Sequence, residues 1–408
     1  MNEQLKTIIQ WVIVTVLVGL IVGSLAAFFL VSLDWVTTIR EDDFLFVLLL
    51  PLGGFLIGLS YYRLEHGVEG GNNRLISEMI HPKQKLHWKM TPLVLFGTLA
   101  THLFGGSAGR EGTAVQMGGA TADQFSKWWK WGEKERSVLL RMGVAAGFSG
   151  VFGTPFAGMI FAFELARDRK VNTIFILPVI FVSFLADFIC HAWQVDHTIY
   201  QITEVPTITW SVSFWVVIVA ILFGLTALLF NYLKVFLGRI FTKYIKYPPF
   251  RPMIGGAVLV GIVYLLGTTK YLGLGVPIIQ ESFLSESDSS TFLLKLLLTA
   301  FTLGAGFKGG EATPLFFMGA TLGSALFGFV PLPLSLLAGL GFIAVFAGST
   351  NTPIACSIMG IEMFGIAAFP YYIIVCFIAY FISGRTSAYA TQVEKLRKYS
   401  IVQRIMNK

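Results

Sequence analysis

The stretch Gly105-Gly-Ser-Ala-Gly-Arg110-Glu111-Gly-Thr113 places an arginine and a glutamate among four glycines, between two long apolar segments. An ionisable side chain at membrane depth is costly, so it marks a functional site by default. The apolar run after Glu111 favours a helix, whose first N–H groups and positive dipole end would face an anion. We therefore predict an anion site inside a membrane, with the titratable carboxylate of Glu111 at its edge. The simpler alternative is a loop glutamate at the lipid surface that only caps a helix.

The composition indicates an all-α integral membrane protein. Of the 408 residues, 55% are hydrophobic and 13% are charged, whereas soluble domains carry about 25% charged residues. Residues 8–33 are nearly uncharged, and the run is long enough to cross about 30 Å of hydrocarbon. It lacks the small-residue cleavage pattern of a signal peptide, so we expect a retained helix.

The charged residues predict topology rather than nucleic-acid binding. The net charge is +7, but the basic residues lie in short loops, which the positive-inside rule places in the cytoplasm together with both termini. The acidic segments 187–204 and 281–288 are expected to face outside. The three cysteines lie in apolar runs and predict neither a disulfide nor a metal site, and we expect no cofactor. The basic groups are Lys83, Lys85 and Lys89; Arg239, Lys243, Lys246 and Arg251; and Lys395, Arg397, Lys398, Arg404 and Lys408.

Many apolar segments are shorter than a bilayer span and are interrupted by glycine and proline. Residues 44–62 carry a predicted break at Pro51 and Gly53-Gly54. Residues 142–164 are predicted to form pieces too short to span alone, with Thr154 as a cap and Pro155 in the first turn of a helix. Half-length segments of this kind are typical of transporters with re-entrant helices. Further apolar segments are predicted at residues 92–104, 172–193, 214–239, 254–266, 293–303, 314–329, 331–346, 353–364 and 369–382.

The second half of the chain repeats motifs of the first, about 200 residues later. Thr154-Pro-Phe-Ala-Gly-Met-Ile-Phe-Ala-Phe-Glu164 recurs as Thr352-Pro-Ile-Ala-Cys-Ser-Ile-Met-Gly-Ile-Glu362, with five identities at the same spacing. Residues 109–118 align with residues 310–319. Chance similarity between Gly- and Ala-rich segments would explain one echo, but two in the same order indicate related halves. Secondary transporters with this plan bind substrate where the broken helices of both halves meet.

These motifs resemble the CLC family of chloride channels and proton-coupled anion antiporters. Gly-Arg110-Glu111-Gly is similar to the central motif of that family, and Thr154-Pro-Phe-Ala-Gly is similar to one of its helix starts. The resemblance covers residues from about 10 to 400. It implies a CLC fold with two inverted-topology repeats of tilted and broken helices, at about 8–200 and 205–400, in one transmembrane domain over residues 1–408. It also implies a homodimer with one pathway per subunit and no cytoplasmic regulatory domain.

The departures from the family pattern resemble its fluoride/proton antiporter branch. Thr113 stands where the central motif ends in proline, and Asn72 replaces the pore serine. Ala312 takes the place of a phenylalanine and follows Glu311, while Leu165 takes the place of the glutamate that relays protons in chloride/proton antiporters. The branch exports fluoride from the bacterial cytoplasm in exchange for protons. The resemblance therefore implies a multi-pass transporter of the bacterial plasma membrane.

Glu111 and Glu311 are the residues expected to carry protons. When ionised, Glu111 would occupy an anion position in the pathway, and when protonated it would move aside, which couples the two fluxes. Glu311 is expected to carry the inner half of the proton path. The alternative for Glu311 is a structural ion pair with Lys308, three residues earlier.

Asn72 offers two amide N–H donors to a small, strongly hydrated anion such as fluoride. The alternative for Asn72 and Asn73 is a helix cap or a turn. Thr313 is expected to offer a hydroxyl beside Glu311 or to cap its helix. Arg110 and Gly109 are expected to support the site, and Glu164 and Glu362 to be structural. The predicted substrate-binding residues are Asn72, Asn73, Gly112, Thr113, Ala312, Thr313 and Tyr389.

Two alternatives to fluoride/proton exchange remain at the level of sequence. The first is a chloride/proton antiporter or passive anion channel of the same fold. The second, more remote, is an intramembrane serine protease, because Gly147-Phe-Ser149-Gly150 fits the motif of that class. Its serine would need a histidine base, and no histidine follows His197.

Overall fold

The computed structural model describes residues 3–64, 68, 70–129, 131–166 and 176–393. Glu69, Asn172 and the C-terminal basic group of residues 395–408 lie outside the described residues. The α-helices are α1 Glu3–Asp42, α2 Leu45–Leu48, α3 Leu50–Leu64, α4 Gly71–Ile80, α5 Met90–Leu103, α6 Glu111–Gln124, α7 Glu133–Phe152, α8 Pro155–Leu165, α9 Ile176–Ala192, α10 Trp210–Tyr244, α11 Phe250–Leu266, α12 Val276–Glu281, α13 Thr291–Gly304, α14 Ala312–Ala325, α15 Leu334–Thr350, α16 Pro353–Phe364, α17 Phe369–Ile382 and α18 Ala390–Val393.

Two of these helices, α1 and α10, are long and apolar enough to cross a membrane by themselves. Other apolar helices have 10–17 residues, as expected from the interrupted hydrophobic segments. Within residues 142–164 the structure forms the end of α7 and the 11 residues of α8, and neither helix is among those long and apolar enough to cross a membrane alone. Helix α7 is nevertheless longer than predicted, with 20 residues, because it starts in the charged stretch at Glu133.

The break predicted in residues 44–62 lies elsewhere than expected. The chain is interrupted at Leu49, between α2 and α3, and α3 continues through Pro51 and the glycine pair. Pro51 is the second residue of α3, where the N–H that proline lacks has no acceptor within the helix. Gly53 faces the ring of Phe104, which a Cβ at that position would overlap. The glycine therefore serves close packing and not a turn.

The chain forms two compact units. The first comprises residues 1–199, 234–275 and 298–314, and the second comprises residues 200–233, 276–297 and 315–408. In the first unit α7 is buried along most of its length and packs on α6, α8 and α9. In the second unit α15 is buried from Ser335 to Thr350 and packs on α16 and α17.

The same close helix contact occurs once in each unit. A methyl group on Gly118 would overlap the backbone carbonyl of Gly143, which joins α6 to α7. A methyl group on Gly319 would likewise overlap the carbonyl of Gly341, which joins α14 to α15. Small residues let helix backbones approach closely in membrane proteins. Because Gly118 and Gly319 are aligned positions of the sequence echo, the repeat is visible in packing as well as in sequence.

The second echo is visible in the backbone. Helix α7 is followed by Gly153 (φ +68°) and α15 by Asn351 (φ +61°), both in the left-handed region. The next helices, α8 and α16, each begin at a proline, Pro155 and Pro353. Proline suits the first helical position because it needs no N–H partner there. The predicted cap is wrong, because Thr154 makes no side-chain hydrogen bond to its helix.

A buried ion-pair cluster joins α4, α6 and α7. Arg136 Nε lies 2.7 Å from Asp123 Oδ1, and its Nη1 lies 2.9 Å from Glu78 Oε2. Its third nitrogen, Nη2, donates to the backbone carbonyl of Gln84 over 2.7 Å. Hydrogen bonds that satisfy all members of a buried charge cluster fix the geometry of the elements that carry them. The cluster lies toward the C-terminal ends of α4 and α6, so it orients the opposite, N-terminal ends of both helices.

We predict that Gly118→Ala lowers the Tm of the purified protein in detergent. Its methyl group would press against the backbone of α7, which has no side chain to move aside, and overpacking of this kind costs about 1–3 kcal/mol. Gly261→Ala is the matched control, because a Cβ at Gly261 meets no atom within 4 Å and alanine favours the helix. Equal melting temperatures for the two variants would contradict the packing described for α6 and α7.

Candidate functional site

Two glycine-rich loops pair with each other through their backbones. Gly109 N–H donates to the carbonyl of Gly310 over 2.7 Å, and Gly310 N–H donates back to Gly109 over 2.6 Å. The first loop leads into α6, which begins at Glu111, and the second leads into α14, which begins at Ala312. The pairing therefore brings the N-termini of α6 and α14 together, although about 200 residues separate them in sequence.

Glu111 is bound by the start of the facing helix. Its side chain is buried, with 3% of the residue exposed. Oε1 accepts a hydrogen bond from the Thr313 hydroxyl over 2.7 Å and a second from the Thr313 backbone N–H. Oε2 is buried without a hydrogen-bond partner. The carboxylate therefore occupies the position at the N-terminus of α14 that an anion would take.

Glycine is required around this carboxylate because its oxygens touch the neighbouring backbone. A Cβ at Gly109 would lie 2.7 Å from Glu111 Oε2, and a Cβ at Gly310 would overlap the same oxygen. A Cβ at Gly112 would lie 2.9 Å from Nδ2 of Asn72 and 3.1 Å from Cα of Gly310. The backbone of Gly112 therefore lies between the amide of Asn72 and the paired loops, with no side chain to keep them further apart.

Asn72 lies in the first turn of α4, after two glycines with left-handed φ angles. These angles are +85° at Gly70 and +48° at Gly71, a region that residues with a Cβ seldom adopt. The sharp entry lets α4 present its N-terminus, and with it Asn72, to Gly112. Three helix N-termini, those of α4, α6 and α14, therefore converge at one place. Each contributes N–H groups without intrahelical acceptors and a positive dipole end.

Side chains of the first unit hold the loop before Glu111 in place. His102 Nδ1 lies 2.8 Å from the carbonyl of Thr98, and its Nε2 lies 3.1 Å from the carbonyl of Ala108. Ser107 Oγ lies 2.9 Å from Thr299 Oγ1 on α13. A neutral imidazole has one N–H, so it donates to one of the two carbonyls. Together with the Ser107–Thr299 hydrogen bond, this contact connects the loop to α5 and α13. Sequence reasoning missed His102, whose signal is a histidine at the end of an apolar helix.

Glu311 pairs with a lysine that sequence reasoning did not consider. Its Oε1 lies 2.6 Å from Lys234 Nζ on α10, and both side chains are mostly buried. The predicted alternative partner, Lys308, instead lies over the ring of Tyr61, 4.3 Å from the centroid. That alternative is wrong, because the loop carries Lys308 toward α3 while Glu311 faces α10. Glu311 Oε2 is buried without a hydrogen-bond partner.

The two threonines of the site have different partners. Thr313 donates to Glu111, so the expectation of a hydroxyl beside Glu311 or a helix cap is wrong. Thr113 lies in the first turn of α6, but its Oγ1 is 2.6 Å from Thr98 Oγ1. The hydroxyl of Thr113 is therefore directed to α5, which leaves its backbone N–H as the group it can offer to an anion.

The remaining predicted residues divide between the two units. Asn73 follows Asn72 in α4, and Ala312 is the buried first residue of α14. Arg110 precedes α6 and is half-buried. Tyr389 belongs to the second unit, where its backbone N–H donates to Ser387 Oγ over 3.0 Å. Its contact with an anion stays a prediction.

Ser149 has no catalytic surroundings. It lies inside α7, fully buried, and its hydroxyl has no hydrogen-bond partner. A serine nucleophile needs a base within hydrogen-bond reach. The surroundings of Ser149 therefore do not support a protease site.

Comparison with known proteins gives concordant matches. A family profile described as "Voltage gated chloride channel" matches residues 53–384. A "Chloride/fluoride channel protein" of Pseudomonas syringae pv. tomato is 44% identical over 397 residues, which cover 96% of this chain and 88% of the relative. A crystal structure of a CLC-type fluoride/proton antiporter has a TM-score of 0.91 at 33% identity and covers 96% of this chain and 99% of that one. A slow cyanobacterial Cl⁻/H⁺ antiporter has a TM-score of 0.80 at 21% identity over 98% of both chains, which supports the fold alone.

We predict that Lys234→Met lowers the Tm in detergent, because it leaves the carboxylate of Glu311 without its cation. An unsatisfied buried polar group costs about 1–3 kcal/mol. The double variant Lys234→Met/Glu311→Gln should recover part of this loss, since it removes the charge as well. Lys243→Met, at an exposed position of the same helix, is the control. A double variant no more stable than the single one would contradict the pairing.

Proposed function

Because the chain belongs to the voltage gated chloride channel family, we propose that it is a fluoride/proton antiporter that exports fluoride from the cytoplasm in exchange for protons. Family membership confirms the predicted CLC fold and makes the chain a multi-pass ion transporter, not an enzyme. The remote protease alternative is therefore wrong. Secondary active exchange and the choice of fluoride belong to the proposal, which the relatives described as a chloride/fluoride channel protein and a fluoride/proton antiporter support.

The observation that carries the proposal is the carboxylate of Glu111 bound to Thr313 where three helix N-termini meet. Ionised, this side chain fills a position built for an anion. Protonated, it loses its charge and its attraction to the helix ends, and a free anion can displace it. The side chain thus either ionises and occupies the anion position or binds a proton and leaves it to a free anion. This dependence couples proton transfer to anion movement.

Asn72 supports fluoride as the anion. Fluoride is small and strongly hydrated, so a site must replace its water with several close donors. The amide Nδ2 of Asn72 adjoins Gly112, beside the first N–H groups of α6. An amide provides two N–H donors, whereas the serine of the chloride-transporting relatives provides one hydroxyl.

Glu311 is proposed to carry the inner half of the proton path. The position used for that role in chloride/proton antiporters is Leu165 here. Glu311 lies two residues before Thr313, which binds Glu111, and its Oε2 has no hydrogen-bond partner. Lys234, 2.6 Å from Oε1, balances the charge whenever Glu311 is ionised.

The assembly is proposed from the family resemblance. Residues 1–408 would form a single transmembrane domain that works as a homodimer in the plasma membrane of a bacterium, with lipid around it and both termini in the cytoplasm. The predicted roles of Asn73, Gly112, Thr113, Ala312 and Tyr389 in contacting the anion belong to the same proposal. Arg110 and Gly109 are proposed to hold the site without contacting the ion.

Glu111→Gln should uncouple the two fluxes. Glutamine keeps the size and the hydrogen-bond acceptor but cannot exchange a proton, so fluoride leaving proteoliposomes should no longer move protons. Fluoride is followed with an ion-selective electrode and protons with an entrapped pH dye. Glu133→Gln, at an exposed position in the first turn of α7, is the matched control for removing a carboxylate. A Glu111→Gln protein that still exchanges fluoride for protons would remove Glu111 from the mechanism.

Asn72→Leu and Asn72→Ser separate hydrogen bonding from shape. Leucine matches the size of asparagine without its donors, so fluoride transport should fall by at least about tenfold, the cost of one buried hydrogen bond. Serine restores one donor and should recover part of the fluoride flux while raising the chloride flux relative to it. Both rates are measured in the same liposomes. Unchanged selectivity in both variants would show that Asn72 does not contact the anion.

A further inference from the structure

A second cluster of ionisable side chains lies at the C-terminal end of α9. Asp187 and His191 are one helical turn apart, and His197 follows in the segment after the helix. Asp187 Oδ1 lies 3.5 Å from His191 Nδ1 and 3.9 Å from His197 Nε2. One potential ligand atom from each residue lies within 4.8 Å of the other two. The sequence analysis considered only the cysteines as possible metal ligands and did not find this group.

Asp187 Oδ1 and both ring nitrogens of His197 are buried, and Asp187 Oδ1 has no hydrogen-bond partner. The ring of His197 lies beside the backbone of Val151 and against Gly153, where a Cβ would contact the imidazole ring. A buried polar atom without a partner needs an explanation, and a bound ion is one. Asp187 Oδ1 faces the two imidazoles at distances longer than a normal hydrogen bond.

Two imidazoles and one carboxylate form a donor set suited to zinc and similar divalent metals. With zinc–ligand bonds of about 2.0–2.2 Å, tetrahedral ligand atoms lie about 3.3–3.6 Å apart, so small side-chain adjustments would bring the three ligand atoms to coordinating distance. His191 is half exposed and gives solvent access to the fourth position. Its Nδ1 also lies 3.0 Å from the carbonyl of Asp187, so its ring can either coordinate directly or turn its other nitrogen to the metal.

We propose that Asp187, His191 and His197 form a binding site for a divalent transition-metal cation of the zinc type. The site is distinct from the Glu111 cluster. His197 touches Gly153, the residue that follows α7 and precedes the start of α8. A bound cation would therefore tie α9 to the turn between these two helices.

The binding test is independent of the transported ion. Purified full-length protein in detergent is titrated with ZnCl₂ by calorimetry, and we expect a single site per chain. His191→Ala should abolish the binding heat, and because His191 is half exposed this variant should keep the elution profile of the folded protein. His197→Ala and Asp187→Asn should do the same. His81→Ala, a histidine in a different loop, should bind zinc like the unmodified chain, and MgCl₂ should give no heat because magnesium prefers oxygen ligands.

Two results would overturn the proposal. One is an unmodified chain that binds no zinc under these conditions. The other is zinc binding that persists unchanged in His191→Ala and His197→Ala, which would place the metal elsewhere. Neither result would bear on fluoride/proton exchange, since that rests on Glu111 and Asn72.

Discussion

The hydrogen bonds from Thr313 to Glu111 are the interaction on which the rest of the site depends. A buried carboxylate needs donors, and here the start of α14 supplies two of them. That contact is possible only because the two loops pair at Gly109 and Gly310, where side chains would collide with the carboxylate. The glycines, the paired backbones and the converging helix ends are thus parts of one arrangement that receives negative charge.

The remainder of the first unit fixes where the helix ends point. The Arg136 cluster ties α4 to α6 at the ends away from Glu111, and the contact between Gly118 and Gly143 sets the distance from α6 to α7. The positions of the N–H groups in a site made of helix N-termini depend on the orientations of those helices. Rigid anchoring far from Glu111 therefore allows the one mobile part of the proposed mechanism to be a side chain.

Much of this arrangement could be predicted from the sequence. Glycines flanking Glu111, an apolar run after it and an echo about 200 residues later together predicted two facing helix starts. The sequence suggested a helix break at Gly53, and the break instead lies at Leu49. Gly53 is needed for a different reason, because the ring of Phe104 occupies the space that a Cβ would take. In the sequence, a tertiary contact of this kind leaves only a small residue, and the residue alone does not show what packs against it.

Partners distant in sequence were the main source of error. Lys234 is 77 residues from Glu311, and no spacing rule connects them, whereas Lys308 looked suitable only because it is near in sequence. The sequence also did not reveal that the Thr113 hydroxyl binds Thr98 whereas the Thr313 hydroxyl binds Glu111. Which way a side chain turns at a helix start depends on what the fold places opposite it.

The most direct test of the account is whether a fluoride gradient drives protons uphill. Proteoliposomes of the unmodified protein are loaded with fluoride at equal internal and external pH, with the membrane potential held at zero. Fluoride outflow should acidify the interior, faster than in protein-free liposomes, and an equal chloride gradient should acidify it far more slowly. Fluoride outflow without acidification, or equal acidification by chloride, would contradict the account.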